Sequence, residues 1–306
     1  MKRRKFIKNS LLATTIPAIS GFVYGGSKTN RKNGSFNLLY APHFGMFSKH
    51  SGSDLVDQIQ FMHDAGFRSL EDNGMKDRSI SDQKRIAKTM NKLGMTMGVF
   101  VAHKIYWDFP NLTSGDKSYQ DQFIKDIKES IDIAKRVNAK WMTVVPGHVD
   151  LGKEPAYQTA NVIEALRRAC EVLEPHDLIM VLEPLNWWTN HAGQFLREIP
   201  QAYEICRAVN SPSCKILFDI YHQQISEGNI ISNIDKAWEE IAYFQIGDNP
   251  GRKEPTTGEI NYTNIFKHIY EKGYKGVLGM EHGNSKPGKS GEIAVIDAYR
   301  QVDSFL

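Results

Sequence analysis

The chain runs to 306 residues with a formal charge of +3. Eight basic residues and no acid stand in positions 1–32, so the remainder carries −5, a balance that argues against nucleic acid as a partner. The roughly 275 residues that follow are long for two small domains and typical of one α/β barrel. Cys170, Cys206 and Cys214 form neither a disulfide framework nor a metal-binding pair, and small buried core residues are expected at these positions.

Positions 1–32 read as an export signal and linker. Lys2, Arg3, Arg4, Lys5 and Lys8 precede a mostly apolar run from Leu11 to Tyr24, and the Arg3-Arg4 pair resembles a twin-arginine signal, which directs folded proteins out of the cytoplasm. A periplasmic location is therefore expected. No later apolar run approaches the ~18 residues of a membrane span, so no membrane contact is expected once the signal is gone.

The barrel is expected over 33–306. Apolar strand-like runs fall at 36–41, 67–71, 95–101, 140–145, 178–183, 214–219, 241–246 and 275–281. Helical patterns separate them: Asp54–Ala65, Ser81–Leu93, Tyr119–Val137, Ala156–Leu173, Phe195–Val209, Ile230–Trp238, Tyr262–Glu271 and Glu292–Phe305. Continuous apolar strands joined by amphipathic helices predict a parallel sheet covered by helices, and eight such units predict a closed (β/α)8 TIM barrel of one domain. An open doubly wound sheet is the alternative. Glycines at Leu93-Gly94-Met95 and Lys272-Gly273-Tyr274 stand where a helix stops, the left-handed position that glycine adopts cheaply.

In such folds the ligand site lies beyond the carboxyl ends of the strands. Glu183 in MVLEPLN, Asp219 in KILFDIYH, Gln245 in YFQIGDN and Glu281 in GVLGMEHG each end an apolar run, 36, 26 and 36 residues apart, about one βαβ step each. A Pro/Gly-punctuated loop carrying Asp248, Arg252, Glu254 and Glu259 follows the third. Taken singly, each acid reads as a solvated strand end or a helix cap. Converging, three carboxylates repel one another and raise their pKa values, a cost that a divalent metal removes, and an oxygen-rich set without cysteine favours Mg²⁺ or Mn²⁺.

The segments LEPLN, FDIYHQ, FQIGDNPGRKEPTTGEINY and GMEH, in that order and spacing from Phe36 to Leu306, resemble the hydroxypyruvate isomerase family, within the xylose-isomerase-like barrels that include ketose 3-epimerases. The resemblance implies a divalent metal held by Glu183, Asp219, Gln245 and Glu281. It also implies proton transfer by Glu183 and Glu281, with His222 and Arg252 on substrate oxygens. The expected partner is a small-molecule substrate, a keto acid or sugar, and a homo-oligomer is compatible with it.

Two features depart from that family, the turn after LEPLN and the export signal. Trp187-Trp188-Thr189-Asn190-His191 follows LEPLN in place of an arginine-bearing turn, and tryptophans at a mouth suit stacking on a sugar ring. His43, His103, Trp107 and His148 also fall at strand ends, with His43 and His103 as further substrate candidates beside Trp187. These features, with the export signal, support an alternative: a periplasmic epimerase or lyase of keto-sugars or 3-keto-glycosides. A non-catalytic sugar-binding barrel is a third reading, against which stand two opposed glutamates that a binder does not need. Gly283 to Ser290 matches the P-loop pattern, but 16 residues after Ser290 cannot supply the strands of a nucleotide hydrolase.

Overall fold

The computed structural model describes residues 34–306, and the export signal expected over 1–32 lies outside them. Eight strands appear in the expected places: β1 (Leu39–Ala41), β2 (Ser69–Leu70), β3 (Thr96–Met97), β4 (Trp141–Val144), β5 (Ile179–Leu182), β6 (Cys214–Asp219), β7 (Ile241–Gln245) and β8 (Val277–Gly279). Between them lie α1 (Ser48–Ser51), α2 (Leu55–Asp64), α3 (Ile80–Leu93), α4 (Lys117–Val137), α5 (Pro155–Leu173), α6 (Ile199–Val209), α7 (Ile220–Ser226), α8 (Ile230–Ala237), α9 (Tyr262–Glu271) and α10 (Gly288–Val302). The short α1 and α7 carry no hydrophobic period of their own and depend on tertiary contacts.

All strand pairings are parallel. β1, β8, β7, β6, β5 and β4 lie side by side in that order, and β2 lies beside β3. Single bridges from His43 to Glu71, Met97 to Ala139 and Val101 to Thr143 join the two sets. Because β1 also pairs with β8 through Leu39–Val277, Tyr40–Leu278 and Ala41–Gly279, the sheet closes on itself and the open doubly wound alternative is excluded. The runs expected at 67–71 and 95–101 shrink to two paired residues each, since beyond them only isolated bridges form.

The period-2 alternation of the strands divides two cores. Val181, Leu217 and Tyr243 fill the barrel interior with Ala41, Val99 and Val277, while Met180, Leu182, Ile216, Phe218 and Phe244 pack outward under the helices. Helix ends follow local chemistry. Asp54 caps α2 by accepting from the Val56 and Asp57 N–H groups, and Gly94 closes α3 at φ 65°. The helix expected from Phe195 starts at Ile199 instead: Phe195 donates its N–H to Gly147 O (2.8 Å), and Pro200 takes the first turn, where its missing N–H costs nothing. The three cysteines are free and buried.

The loop after β7 is built on Asp248. This fully buried carboxylate accepts from the backbone N–H groups of Asn249 (2.9 Å), Thr257 (3.1 Å), Gly258 (2.8 Å) and Ile260 (3.1 Å). Nearby, Ser285 donates its N–H and hydroxyl to Glu254, so the P-loop-like segment spends its donors on a protein carboxylate. Asp248→Ala strands four donors at once, and urea denaturation is expected to show a loss on the order of 3 kcal/mol.

Candidate active site

The carboxyl ends of β5 to β8 bring four groups to one mouth. Glu183 follows Leu182 directly, Asp219 ends β6, Gln245 ends β7, and Glu281 stands two residues beyond Gly279 and so on the same face. The register pairs Asp219 with Gln245 and Gln245 with Gly279, which puts these positions at one height. Ligand-type atoms of Glu183, Asp219 and His222 lie within 4.8 Å of one another.

Asp219 is both a cap and a site residue. Its Oδ1 accepts from the N–H groups of Tyr221 (2.7 Å) and His222 (3.1 Å) at the start of α7, which leaves Oδ2 facing the mouth. There Arg252 places Nη2 3.2 Å from Asp219 Oδ2 and 2.6 Å from Glu281 Oε2, donates Nε–H to Glu281 O (3.1 Å), and lies over the Tyr221 ring. Asn73, after β2, donates to the other Glu281 oxygen (2.9 Å).

His222 is buried, and its tautomer is set by its neighbours. The Asn186 backbone N–H donates to Nδ1 (3.3 Å), and since an amide N–H only donates, the neutral ring carries its proton on Nε2. Burial holds its pKa down at about 3, so the ring stays neutral. Nε2 lies 3.6 Å from Asp219 Oδ2 and 3.9 Å from Glu183 Oε1, beyond hydrogen-bond range, and has no partner. A buried N–H aimed at the carboxylates suits a substrate oxygen. It does not suit a metal, which requires a lone pair.

Like charges and burial act together on the carboxyls. Burial, then the Glu281 and Asp219 charges, pushes Glu183 well above the usual range, and burial chiefly pushes Glu281 to about 7 against the pull of Arg252. A divalent cation fits this donor set: hard oxygens, no cysteine, and a buried Gln245 Oε1 with no hydrogen-bond partner.

The remaining expected residues divide. His43 lines a cleft of about 310 Å³ with Phe44, Asn73, Arg78 and Glu281, alongside the carboxylates. His103 does not face it: its Nε2 accepts from Val145 N–H (3.2 Å) and its ring packs edge-on against Phe123, so it serves the scaffold. Trp187 donates its indole N–H to Gln194 O (2.6 Å), lies under Arg197, and borders a different cleft with Val149 and Phe195. The aromatic rim is instead Trp107 stacked on His191, whose ring lies 5.4 Å from His222. Sequence reading missed Glu71, Asn73, Asn186 and Tyr221. Glu71 had a usable signal, since it ends the run RSLE as Glu183 ends MVLE.

The chain belongs to the xylose isomerase-like TIM barrel family, whose model matches residues 59–301. Among characterised sequences it is similar to the hydroxypyruvate isomerase of Escherichia coli strain K12, 28% identical over 260 residues that cover 81% of this chain and 94% of that one. The 2-oxo-tetronate isomerase of Cupriavidus necator is 24% identical over 260 residues, 83% and 95% of the two chains. The putative human hydroxypyruvate isomerase is 32% identical over 168 residues, 53% of this chain and 61% of that one. Two solved structures share the fold: an AP endonuclease of family 2 from Brucella melitensis (TM-score 0.70, 22% identity, 82% and 95% covered) and the 3-keto-D-glucoside 4-epimerase of E. coli (0.71, 15%, 87% and 98%).

The raised carboxyls have a stability consequence. Glu281 keeps its proton in the folded chain from the unfolded value of 4.5 up to about 7, so its contribution is complete below 4.5 and is lost as pH rises through 7. Protein stripped of divalent ions should therefore show a falling Tm between pH 5 and 8, and Glu281→Gln should flatten that fall.

Proposed function

We propose that this chain is a divalent-metal-dependent isomerase of small hydroxy-carbonyl acids, of the hydroxypyruvate or 2-oxo-tetronate kind. The observation that carries the reading is the convergence of Glu183 and Glu281 on one mouth, both with pKa values raised by burial and by neighbouring carboxylate charge, as proton-transfer groups commonly are. The relatives named as isomerases of small keto acids support the same reading. On the reading of its first residues as a signal, the enzyme works in the periplasm.

Glu183, Asp219, Gln245 and Glu281 would hold the metal, with Mn²⁺ or Mg²⁺ the best match to their oxygens. When bound, such an ion acts as a Lewis acid that makes the hydrogen beside a carbonyl acidic and stabilises developing enediolate charge. One glutamate then removes that proton, and the other delivers one to the neighbouring carbon. His222 Nε2–H donates to a substrate oxygen. Arg252, a planar fork already held by Glu281 and Asp219, and Asn73 keep Glu281 aimed at the mouth. Arg252 also supplies positive charge toward a substrate carboxylate.

One observation favours a second reading, an epimerase of keto-sugars: the Trp107–His191 stack at the rim offers a face for a sugar ring. Hydroxypyruvate, 2-oxo-tetronate, ketohexoses and 3-keto-glucosides incubated in deuterated water with Mn²⁺ separate the two. Carbon-bound deuterium is expected in the keto acids, is expected to vanish with a chelator, and is expected to drop at least about 10³-fold in Glu183→Gln or Glu281→Gln with Tm near that of wild type. Exchange confined to the sugars would favour the epimerase, and exchange in none of them would leave a binding barrel.

A further inference from the structure

The carboxylate of Glu71 has no place in the mechanism above, yet the barrel interior is built around it. It is 2% exposed and sits just past β2. Its Oε2 accepts from Tyr243 Oη–H (2.8 Å) and its Oε1 from Gln245 Nε2–H (2.9 Å). Two glycines make the room. A Cβ at Gly279 would collide with the Glu71 carboxylate, and one at Gly98 would collide with Tyr243 Oη.

These bonds have a direction. The Val99 N–H, which can only donate, points at Tyr243 Oη (3.4 Å), so the tyrosine sends its own proton to Glu71. Gln245 Nε2–H donates to Glu71 Oε1, so the carboxyl group holds the NH2 end of Gln245 toward itself and turns the amide oxygen the other way. That oxygen, Gln245 Oε1, is buried and without a partner. An amide beside a cation could bind with its oxygen or repel with its NH2 group, and nothing within the glutamine chooses between them.

We infer that Glu71, held by Tyr243, is a positioning residue that locks the Gln245 amide with its oxygen toward the carboxylate ring, making a neutral side chain a dependable cation ligand. The inference rests on the metal reading above. It also accounts for a glutamate beside Tyr243 in a part of the barrel where Ala41, Val99, Val181, Leu217 and Val277 form an apolar cluster.

The polarity of the chain gives a test that simple loss of a contact or of a charge would not pass. In Glu71→Gln, Tyr243 still donates and so claims the new amide oxygen. The new NH2 group then faces Gln245, flips its amide and turns Gln245 Nε2 on the cation. Mn²⁺ titrated calorimetrically into the metal-free full-length protein should bind about tenfold or more weakly in this variant. Adding Tyr243→Phe frees residue 71 to present its oxygen to Gln245, so the double variant should recover to within about threefold of wild type. Glu71→Asp keeps the carboxyl group but withdraws it by one methylene, and should also lose about tenfold; it carries the test if Glu71→Gln does not fold. Wild-type affinity in Glu71→Gln or Glu71→Asp overturns the inference, and so does a double variant as weak as the single one. A wild-type protein that binds no Mn²⁺ overturns the metal reading instead.

Discussion

Like charge brought together at the mouth of the barrel is the constraint on which the rest of the site depends. Strand register sets Asp219, Gln245 and Gly279 at one height, and Glu183 and Glu281 follow the ends of β5 and β8. Set close to one another in the mouth, Glu183 and Glu281 are driven toward protonation unless positive charge joins them. Arg252 supplies one such charge from the loop after β7. A divalent cation would supply the other, and Gln245 adds a ligand oxygen without adding another negative charge.

The scaffold spends much of its polar chemistry on holding that arrangement. Asp248 ties the β7 loop through four backbone N–H groups, and Arg252 stands on that loop at φ 51°, a left-handed conformation that a non-glycine residue adopts only when its surroundings impose it. Asp219 uses one oxygen to start α7, which carries His222 to the mouth. Asn186 sets the tautomer of that histidine and also accepts from the N–H groups of Thr189 and Asn190, so the turn after β5 and the donor at the site share one residue.

The aromatic side of the mouth is similarly cross-linked. Gln194 donates to Trp107 O (2.9 Å), His148 O accepts from Thr113 (2.7 Å), and Val149 donates to Gly193 O (2.8 Å), which joins the loops after β3, β4 and β5. Histidines and tryptophans in these loops therefore divide between scaffold and rim according to where each ring turns. His103 and Trp187 hold loops in place, while His191 and Trp107 reach the mouth. Sequence position cannot separate these roles, because neighbouring residues of an irregular loop have no fixed period that says which faces inward.

Periodicity did separate strand from helix along this chain, because apolar runs of five to seven residues and stripes at helical spacing are local properties. Eight repeats of that unit were enough to point to a closed barrel, and an acid or amide at the end of each of the last four strands was enough to point to its mouth. What the order of residues could not contain was direction across the barrel. That Glu71, more than a hundred residues from Gln245, orients its amide, and that the Asn186 N–H places the His222 proton on Nε2, depends on hydrogen bonds between groups that only the closed sheet brings within 3.3 Å. Local sequence determined which elements form, and tertiary contact decided which way each polar group points, because a hydrogen bond's donor and acceptor are assigned by whatever lies opposite.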